Sequence, residues 1–176
     1  MKPIVIDFET EPIGDGWVYP PKPVGISIFL PHLKKPKYYA WGHPTENNCS
    51  YADGLNALQA VWAAENPVLC HNAKFDLDVA VVHLGLAMLP WERIHDTMFL
   101  LFLDNPHSPS LSLKPSAQRL LGMAPEEQDA ILQWAISEKL LPRNAKNAGA
   151  LIYLAPGALV GKYANGDTLR TRKLFE

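Results

Sequence analysis

The sequence has few cysteines and no long apolar run. Its two cysteines, Cys49 and Cys70, have no paired spacing, which argues against a zinc site and favours free thiols in a reducing compartment over a disulfide. No window approaches the roughly 18 uncharged apolar residues of a membrane span. The apolar run before Asp7 is also too short for a signal peptide. We therefore expect a cytoplasmic protein with no membrane segment.

The sequence also lacks a strong excess of charge of one sign. Its formal net charge is −2, so any contact with a polyanion would have to come from a local patch or from bound cations. The 48% hydrophobic and 19% charged residues are ordinary for a globular protein. With no repeat or low-complexity tract, 176 residues fit one domain, and we treat residues 1–176 as that domain.

Apolar periodicity and turn residues predict an α/β domain. The predicted strands cover residues 4–10, 24–30, 35–42, 67–70 and 93–96. The predicted helices cover residues 51–65, 74–86, 97–103, 111–122, 125–140 and 156–176. A hairpin-type sheet followed by alternating strands and helices predicts a mixed central sheet flanked by helices.

The first predicted strand, IVIDFET, ends in two acids. Side chains alternate along a strand, so Asp7 and Glu9 should project from the same face, close together. Neighbouring carboxylates at the end of a buried strand repel each other and lose hydration. Such a pair is therefore unfavourable by itself, and something in the folded protein has to compensate for it.

Two further segments supply acids. Asp76 lies just beyond the predicted strand PVLC, at a helix start and four residues after Asn72. Tyr163 and Asp167 are four residues apart, and so share one face of the last predicted helix. An α/β sheet can bring all of these segments to one edge. Each motif is unremarkable alone, but the ordered combination is specific.

This ordered set resembles the three motifs of the DEDD 3′–5′ exonuclease superfamily. The tyrosine in the last motif is typical of the DEDDy branch, which includes the proofreading domains of family-A DNA polymerases and the ribonuclease D group. The stretches IHDTMFLLFLDNP and LSLKPSAQRLLG are similar to the segments between the second and third motifs of polymerase-type members. The last helix looks most like that of phage-type polymerases. The resemblance implies a ribonuclease-H-like fold.

The resemblance also implies two divalent cations, Mg²⁺ or Mn²⁺, bound by the four acids. Asp7 would bridge both ions, and Glu9 and Asp167 would complete the site that holds the attacking water. Asp76 would anchor the second ion, and the Tyr163 hydroxyl would orient the water. Carboxylates are the hard oxygen ligands that such ions prefer, and paired ions are suited to phosphodiester hydrolysis.

By the same resemblance, the substrate would be a single-stranded or frayed DNA 3′ end, beside the Thr10 backbone and Asn72. The expected product is nucleoside 5′-monophosphate, and the expected context is proofreading with a DNA polymerase domain inside a bacterial or phage-infected cell. Two alternatives remain open: a ribonuclease D-like 3′–5′ exoribonuclease and a non-catalytic module that binds nucleic-acid ends. A carboxylate–metal phosphatase for small molecules is less favoured.

Other polar residues have plainer interpretations. Asp78 and Glu11 are near alternatives to Asp76 and Glu9, but the motif register disfavours both. Asp96 is favoured as a helix N-cap over an auxiliary site residue. The sequence does not decide whether Arg170, Arg172 and Lys173 serve the helix dipole or touch DNA. The candidates for base stacking are Trp17, Tyr19, Trp41 and Phe102.

Overall fold

A five-stranded mixed sheet forms the centre of the protein in a computed structural model, which describes residues 1–14, 18–124 and 126–176. The strand order is β3-β2-β1-β4-β5. Strands β1 and β2 pair antiparallel, as do β2 and β3, whereas β1, β4 and β5 run parallel. The strands are β1 Ile4–Thr10, β2 Pro23–Phe29, β3 Lys37–Ala40, β4 Val68–Cys70 and β5 Ile94–Asp96. The predicted mixed sheet is confirmed.

Helices follow and flank the sheet, each close to its predicted position. They are α1 Tyr51–Ala63, α2 Ala73–Leu84, α3 Thr97–Asp104, α4 Leu113–Leu121, α5 Glu126–Ser137 and α6 Gly157–Phe175. Short 3₁₀ helices cover Trp91–Arg93 and Gly149–Leu154. Pro125, the predicted first residue of α5, and Trp17 lie outside the described residues.

Local sequence signals explain several helix ends. Ser50 and Asp53 form a reciprocal capping box at the start of α1. Asp96 caps α3 by accepting a hydrogen bond from the Met98 backbone N–H at 2.8 Å. Helix α4 ends at Gly122, whose φ of +67° is favourable only for glycine and a few other residues.

The two faces of β1 pack against different layers. Ile4, Ile6 and Phe8 lie in the main core with side chains of α1 and α2. Val5 packs on the opposite face, against Leu169 and Phe175 of α6. Because strand side chains alternate, Asp7 and Glu9 share the face of Val5. This alternation directs both acids towards α6.

Within the described ranges, no helix has both the length and the hydrophobicity needed to cross a membrane. Cys49 and Cys70 are free, and Cys70 is fully buried. The free thiols agree with the interpretation of the sequence.

Candidate active site

Three of the four predicted acids form one cluster. Asp7 and Glu9 come from the central strand β1, and Asp167 comes from α6. One carboxylate oxygen of each lies within 4.8 Å of the others. Glu9 and Asp167 are only 7% and 6% exposed. The fold therefore gathers three carboxylates from distant parts of the chain at one end of β1.

The fourth acid, Asp76, lies beside this cluster but is not a member of the three-carboxylate group. It is buried in the first turn of α2. Its Oδ1 accepts a hydrogen bond from the Phe8 backbone N–H at 2.9 Å. Since Phe8 lies between Asp7 and Glu9 in the chain, this bond anchors Asp76 to the same end of β1.

Burial makes the ionised form of these acids unfavourable. Loss of hydration is the largest cause that raises the pKa of Glu9 well above its usual range. It is also the largest cause for Asp7, which is partly accessible and whose pKa is likewise raised well above its usual range. Repulsion from neighbouring carboxylates raises both pKa values further. Burial also raises the pKa of Asp76 to about 7, although the Phe8 hydrogen bond opposes this change. A cation among these groups would relieve the unfavourable charge.

Among the described residues, two cationic side chains contact the Asp167 carboxylate. The Lys114 Nζ lies 2.6 Å from Oδ2, and an Arg170 guanidinium nitrogen lies 3.5 Å from Oδ1. Lys114 also donates a hydrogen bond to the Tyr163 hydroxyl at 2.9 Å, and its Nζ is 4.0 Å from the centre of the Tyr163 ring. These contacts place the tyrosine of the third motif next to its aspartate.

Sequence reasoning did not single out Lys114 as a site residue. One feature of the sequence could have indicated such a role: Lys114 lies in the first turn of α4, where the helix dipole disfavours a cation. Arg170 is 3% exposed and donates a hydrogen bond to the Ala124 carbonyl oxygen at 2.5 Å. Because it is buried against Asp167, Arg170 supports the site from within the protein rather than presenting a surface to DNA.

The two predicted substrate contacts lie near the acids. Thr10 lines a cleft of about 460 Å³ together with Glu9, Phe75 and Ile152. Asn72 is exposed, has a left-handed backbone with φ of +69°, and immediately precedes α2. Its contact with a terminal nucleotide, like that of Thr10, stays a prediction.

Asp96 has a structural role that links two elements. Besides capping α3, its carboxylate accepts hydrogen bonds from the backbone N–H groups of Asn72 at 3.0 Å and Ala73 at 2.9 Å. These contacts support the N-cap interpretation and fix the turn that leads into α2. His71 lies next to this turn, with its Nδ1 2.9 Å from the Thr97 hydroxyl, as a hydrogen-bonded strand-end residue.

Asp78, the near alternative to Asp76, lies outside the acid cluster. Its carboxylate forms an ion pair with Lys74 at 2.5 Å. Of the candidate stacking residues within the described ranges, Tyr19 and Phe102 are 45% exposed. Tyr19 lies near the cleft, with its ring 6.4 Å from that of Phe75. Base stacking by these rings stays a prediction.

The same arrangement of strands and helices occurs in solved structures. The structure of Brucella melitensis NrnC matches with a TM-score of 0.62 and 16% identity, over 99% of this chain and 70% of that chain. Brucella melitensis NrnC with bound Mg²⁺ matches with a TM-score of 0.61, the same identity and the same coverage. The Aedes aegypti Nibbler EXO domain matches with a TM-score of 0.54 and 13% identity, over 99% of this chain and 79% of that chain. The chain has a ribonuclease-H-like fold.

Comparison with protein-family models and with curated proteins found no match. At these low identities the solved structures establish the fold, and the predicted fold class is confirmed. The chemistry of the site therefore has to be argued from the side chains of this chain.

Proposed function

We propose that the protein is a metal-dependent 3′–5′ exonuclease. The main support is the buried convergence of Asp7, Glu9 and Asp167 within 4.8 Å. The shared fold adds to it, because one of the matching structures is an EXO domain. The ordered motifs of the DEDDy branch, including Tyr163, are the third support.

The donor set suits hard divalent cations. The cluster offers only carboxylate oxygens, which Mg²⁺ and Mn²⁺ prefer over soft ligands. Asp7, Glu9 and Asp167 would hold the metal, with Asp76 as the further ligand for a second ion. Such ions supply charge neutralisation at the phosphoryl oxygens and a more acidic bound water. The matching NrnC structure with bound Mg²⁺ shows that this fold accommodates the ion in another protein.

The other site residues would bind the substrate and orient the water. The Tyr163 hydroxyl, held by Lys114, is placed beside Asp167, where it can hydrogen-bond the attacking water. A phenol ordinarily has a pKa near 10, so we assign Tyr163 an orienting role rather than that of a general base. The cleft beside Thr10 would receive the terminal nucleotide, and Asn72 would contact it from the start of α2.

We further propose that the substrate is a single-stranded or frayed DNA 3′ end and that the activity serves proofreading. This finer assignment rests on the resemblance to family-A, phage-type polymerase domains. In this assignment residues 1–176 form one exonuclease domain. Its partner is a DNA polymerase domain, and its location is cytoplasmic. The low net charge of −2 suits a domain that meets short ends rather than long duplexes.

The test is degradation of oligonucleotides labelled at the 5′ end, in Mg²⁺ or Mn²⁺ and with excess chelator. We expect stepwise shortening from the 3′ end, release of mononucleotides and complete loss of activity in chelator. Asp7→Ala should lower the rate by about a thousandfold or more, which corresponds to about 4 kcal/mol of transition-state stabilisation. Asp78→Asn, on the neighbouring helix but outside the cluster, is the matched control and should retain the wild-type rate.

Matched DNA and RNA substrates test the finer assignment. Faster cleavage of DNA supports the proofreading proposal, whereas faster cleavage of RNA would favour the ribonuclease D-like alternative. Binding of 3′ ends without cleavage in any metal would favour the non-catalytic module. Activity that survives the chelator, or a fully active Asp7→Ala protein, would refute the assignment of the acid cluster as the reaction centre.

A further inference from the structure

Lys114 lies in an unusual position for a lysine. Its side chain is only 15% exposed, and it stands in the first turn of α4, where the partial positive charge of the helix end repels a cation. The contacts that compensate are those to Asp167 Oδ2 at 2.6 Å and to the Tyr163 hydroxyl at 2.9 Å. The position of Lys114 is therefore explained by the acid cluster rather than by its own helix.

The charge of Lys114 acts on the whole cluster. Asp167, its direct partner, lies within 4.8 Å of Asp7 and Glu9. The ammonium group also opposes the rise in pKa of both of those acids. Arg170 contacts the other oxygen of Asp167 and lies buried behind it. Of these two cations, Lys114 is the one that also holds the tyrosine of the proposed reaction.

We propose that Lys114 is a resident counter-cation and positioning residue of the acid cluster. In the metal-free protein it neutralises part of the cluster and fixes the Asp167 carboxylate and the Tyr163 hydroxyl. The same positive charge lowers the affinity of the cluster for a divalent cation, because like charges at short range repel. This inference rests on the proposed metal-dependent function and adds a residue that the motifs do not include.

Titration calorimetry of the full chain with Mn²⁺ tests the charge effect. Lys114→Met removes the charge but keeps much of the side-chain volume, and should bind Mn²⁺ about tenfold more tightly or better. Lys114→Arg retains the charge and should stay within about threefold of the wild type. Lys74→Met removes the lysine that pairs with Asp78, away from the cluster, and should leave the affinity unchanged.

Thermal unfolding separates this role from simple packing. In chelator, Lys114→Met should melt at least about 3 °C below the wild type, since Asp167 Oδ2 and the neighbouring buried carboxylates lose the nearest positive charge. Saturating Mn²⁺ should remove most of that difference, because the metal takes over the neutralisation. A lysine that only fills space would instead lower the melting temperature equally in chelator and in Mn²⁺. Should Lys114→Met fail to fold, Lys114→Gln provides the same comparison.

A double-mutant cycle tests the positioning role. At saturating Mn²⁺, Lys114→Met should lower kcat on an oligonucleotide with little change in KM. If Lys114 acts through the tyrosine hydroxyl, adding Lys114→Met to Tyr163→Phe should cause no further loss. If the two substitutions lower kcat independently, so that the loss in the double variant is the product of the two single losses, the positioning role is overturned.

The results distinguish the inference from the proposed function. Unchanged or weaker Mn²⁺ binding by Lys114→Met would overturn the counter-cation role even if the wild type is an active nuclease. A wild-type protein that binds no Mn²⁺ would instead refute the proposed metal dependence. In that case the appearance of Mn²⁺ binding in Lys114→Met would still support the counter-cation role, and its absence would refute it.

Discussion

Replacing Asp76 by asparagine should stabilise the metal-free protein. The side chain is 2% exposed, and burial raises its pKa from an ordinary 3.8 to about 7. An asparagine oxygen can still accept the hydrogen bond from the Phe8 backbone N–H, which Asp76 accepts at 2.9 Å. The substitution therefore removes the unfavourable charge while keeping the shape and the main contact.

The pKa change sets the size and the pH dependence of the effect. A rise of about three pKa units, at about 1.4 kcal/mol each, corresponds to an upper limit of about 4 kcal/mol. Because the pKa of Asp76 is raised in the folded state, its protonation favours folding, and this contribution is lost as the pH rises from about 4 to about 7. We expect Asp76→Asn to exceed the wild type by about 2 to 4 kcal/mol in free energy of unfolding at pH 8, and the gap to close towards pH 4.

Urea unfolding in excess chelator, followed by circular dichroism between pH 5 and 8, measures this difference. Asp78→Asn is the matched control on the same helix, and should change the free energy of unfolding by no more than about 1 kcal/mol because it loses an ion pair with Lys74 and a contact with the Tyr19 hydroxyl near the surface. A wild-type stability that does not fall between pH 5 and 8, or an Asp76→Asn protein less stable than the wild type at pH 8, would refute the reasoning. Adding Mn²⁺ should stabilise the wild type more than the variant, since the variant lacks one ligand.

Two further predictions concern the tyrosine and a helix end. Tyr163→Phe should lower kcat by about 10- to 100-fold with little change in KM, because it removes only the water-orienting hydroxyl; an unchanged kcat in steady-state cleavage would exclude Tyr163 from the mechanism. Gly122→Ala should destabilise the protein by about 1 kcal/mol in urea unfolding because of its φ of +67°. Gly14→Ala, where an added Cβ meets no atom within 4 Å, is the control and should be near neutral.

Much of the site could be predicted because it depends on local rules. Alternation along β1 places Asp7 and Glu9 on one face whatever the rest of the fold does. Helical spacing likewise places Tyr163 and Asp167 on one side of α6. Parallel strands of an α/β sheet end at the same edge, so the order of these elements along the chain brings the ends of β1 and β4 and the start of α2 together.

The partners of these residues could not be predicted in the same way. Lys114 meets Asp167 across 53 positions of sequence, through the packing of α4 on α6, and no periodicity within either helix encodes that meeting. The sequence around Arg170 is typical of an exposed residue near a helix end, yet Arg170 is buried. Its guanidinium donates a hydrogen bond to the Ala124 carbonyl oxygen and forms an ion pair with Asp167, which compensate for the lost hydration. Long-range ion pairs of this kind depend on tertiary packing, which the sequence pattern does not reveal.

The position of the acids within β1 connects the stability of the fold to its chemistry. The other side chains near them in the strand, Val5, Ile6 and Phe8, are apolar and buried. An apolar residue at position 9 would suit that environment and remove the repulsion, so the acids weaken the strand that centres the sheet. A bound cation would relieve the same repulsion and desolvation, so the free energy that these acids cost the strand contributes to the affinity for the ion. A functional site is expected where a residue conflicts with its surroundings in an otherwise consistent core. Here charged residues stand in an apolar strand, at the only cluster of three metal-ligating side chains found among the described residues.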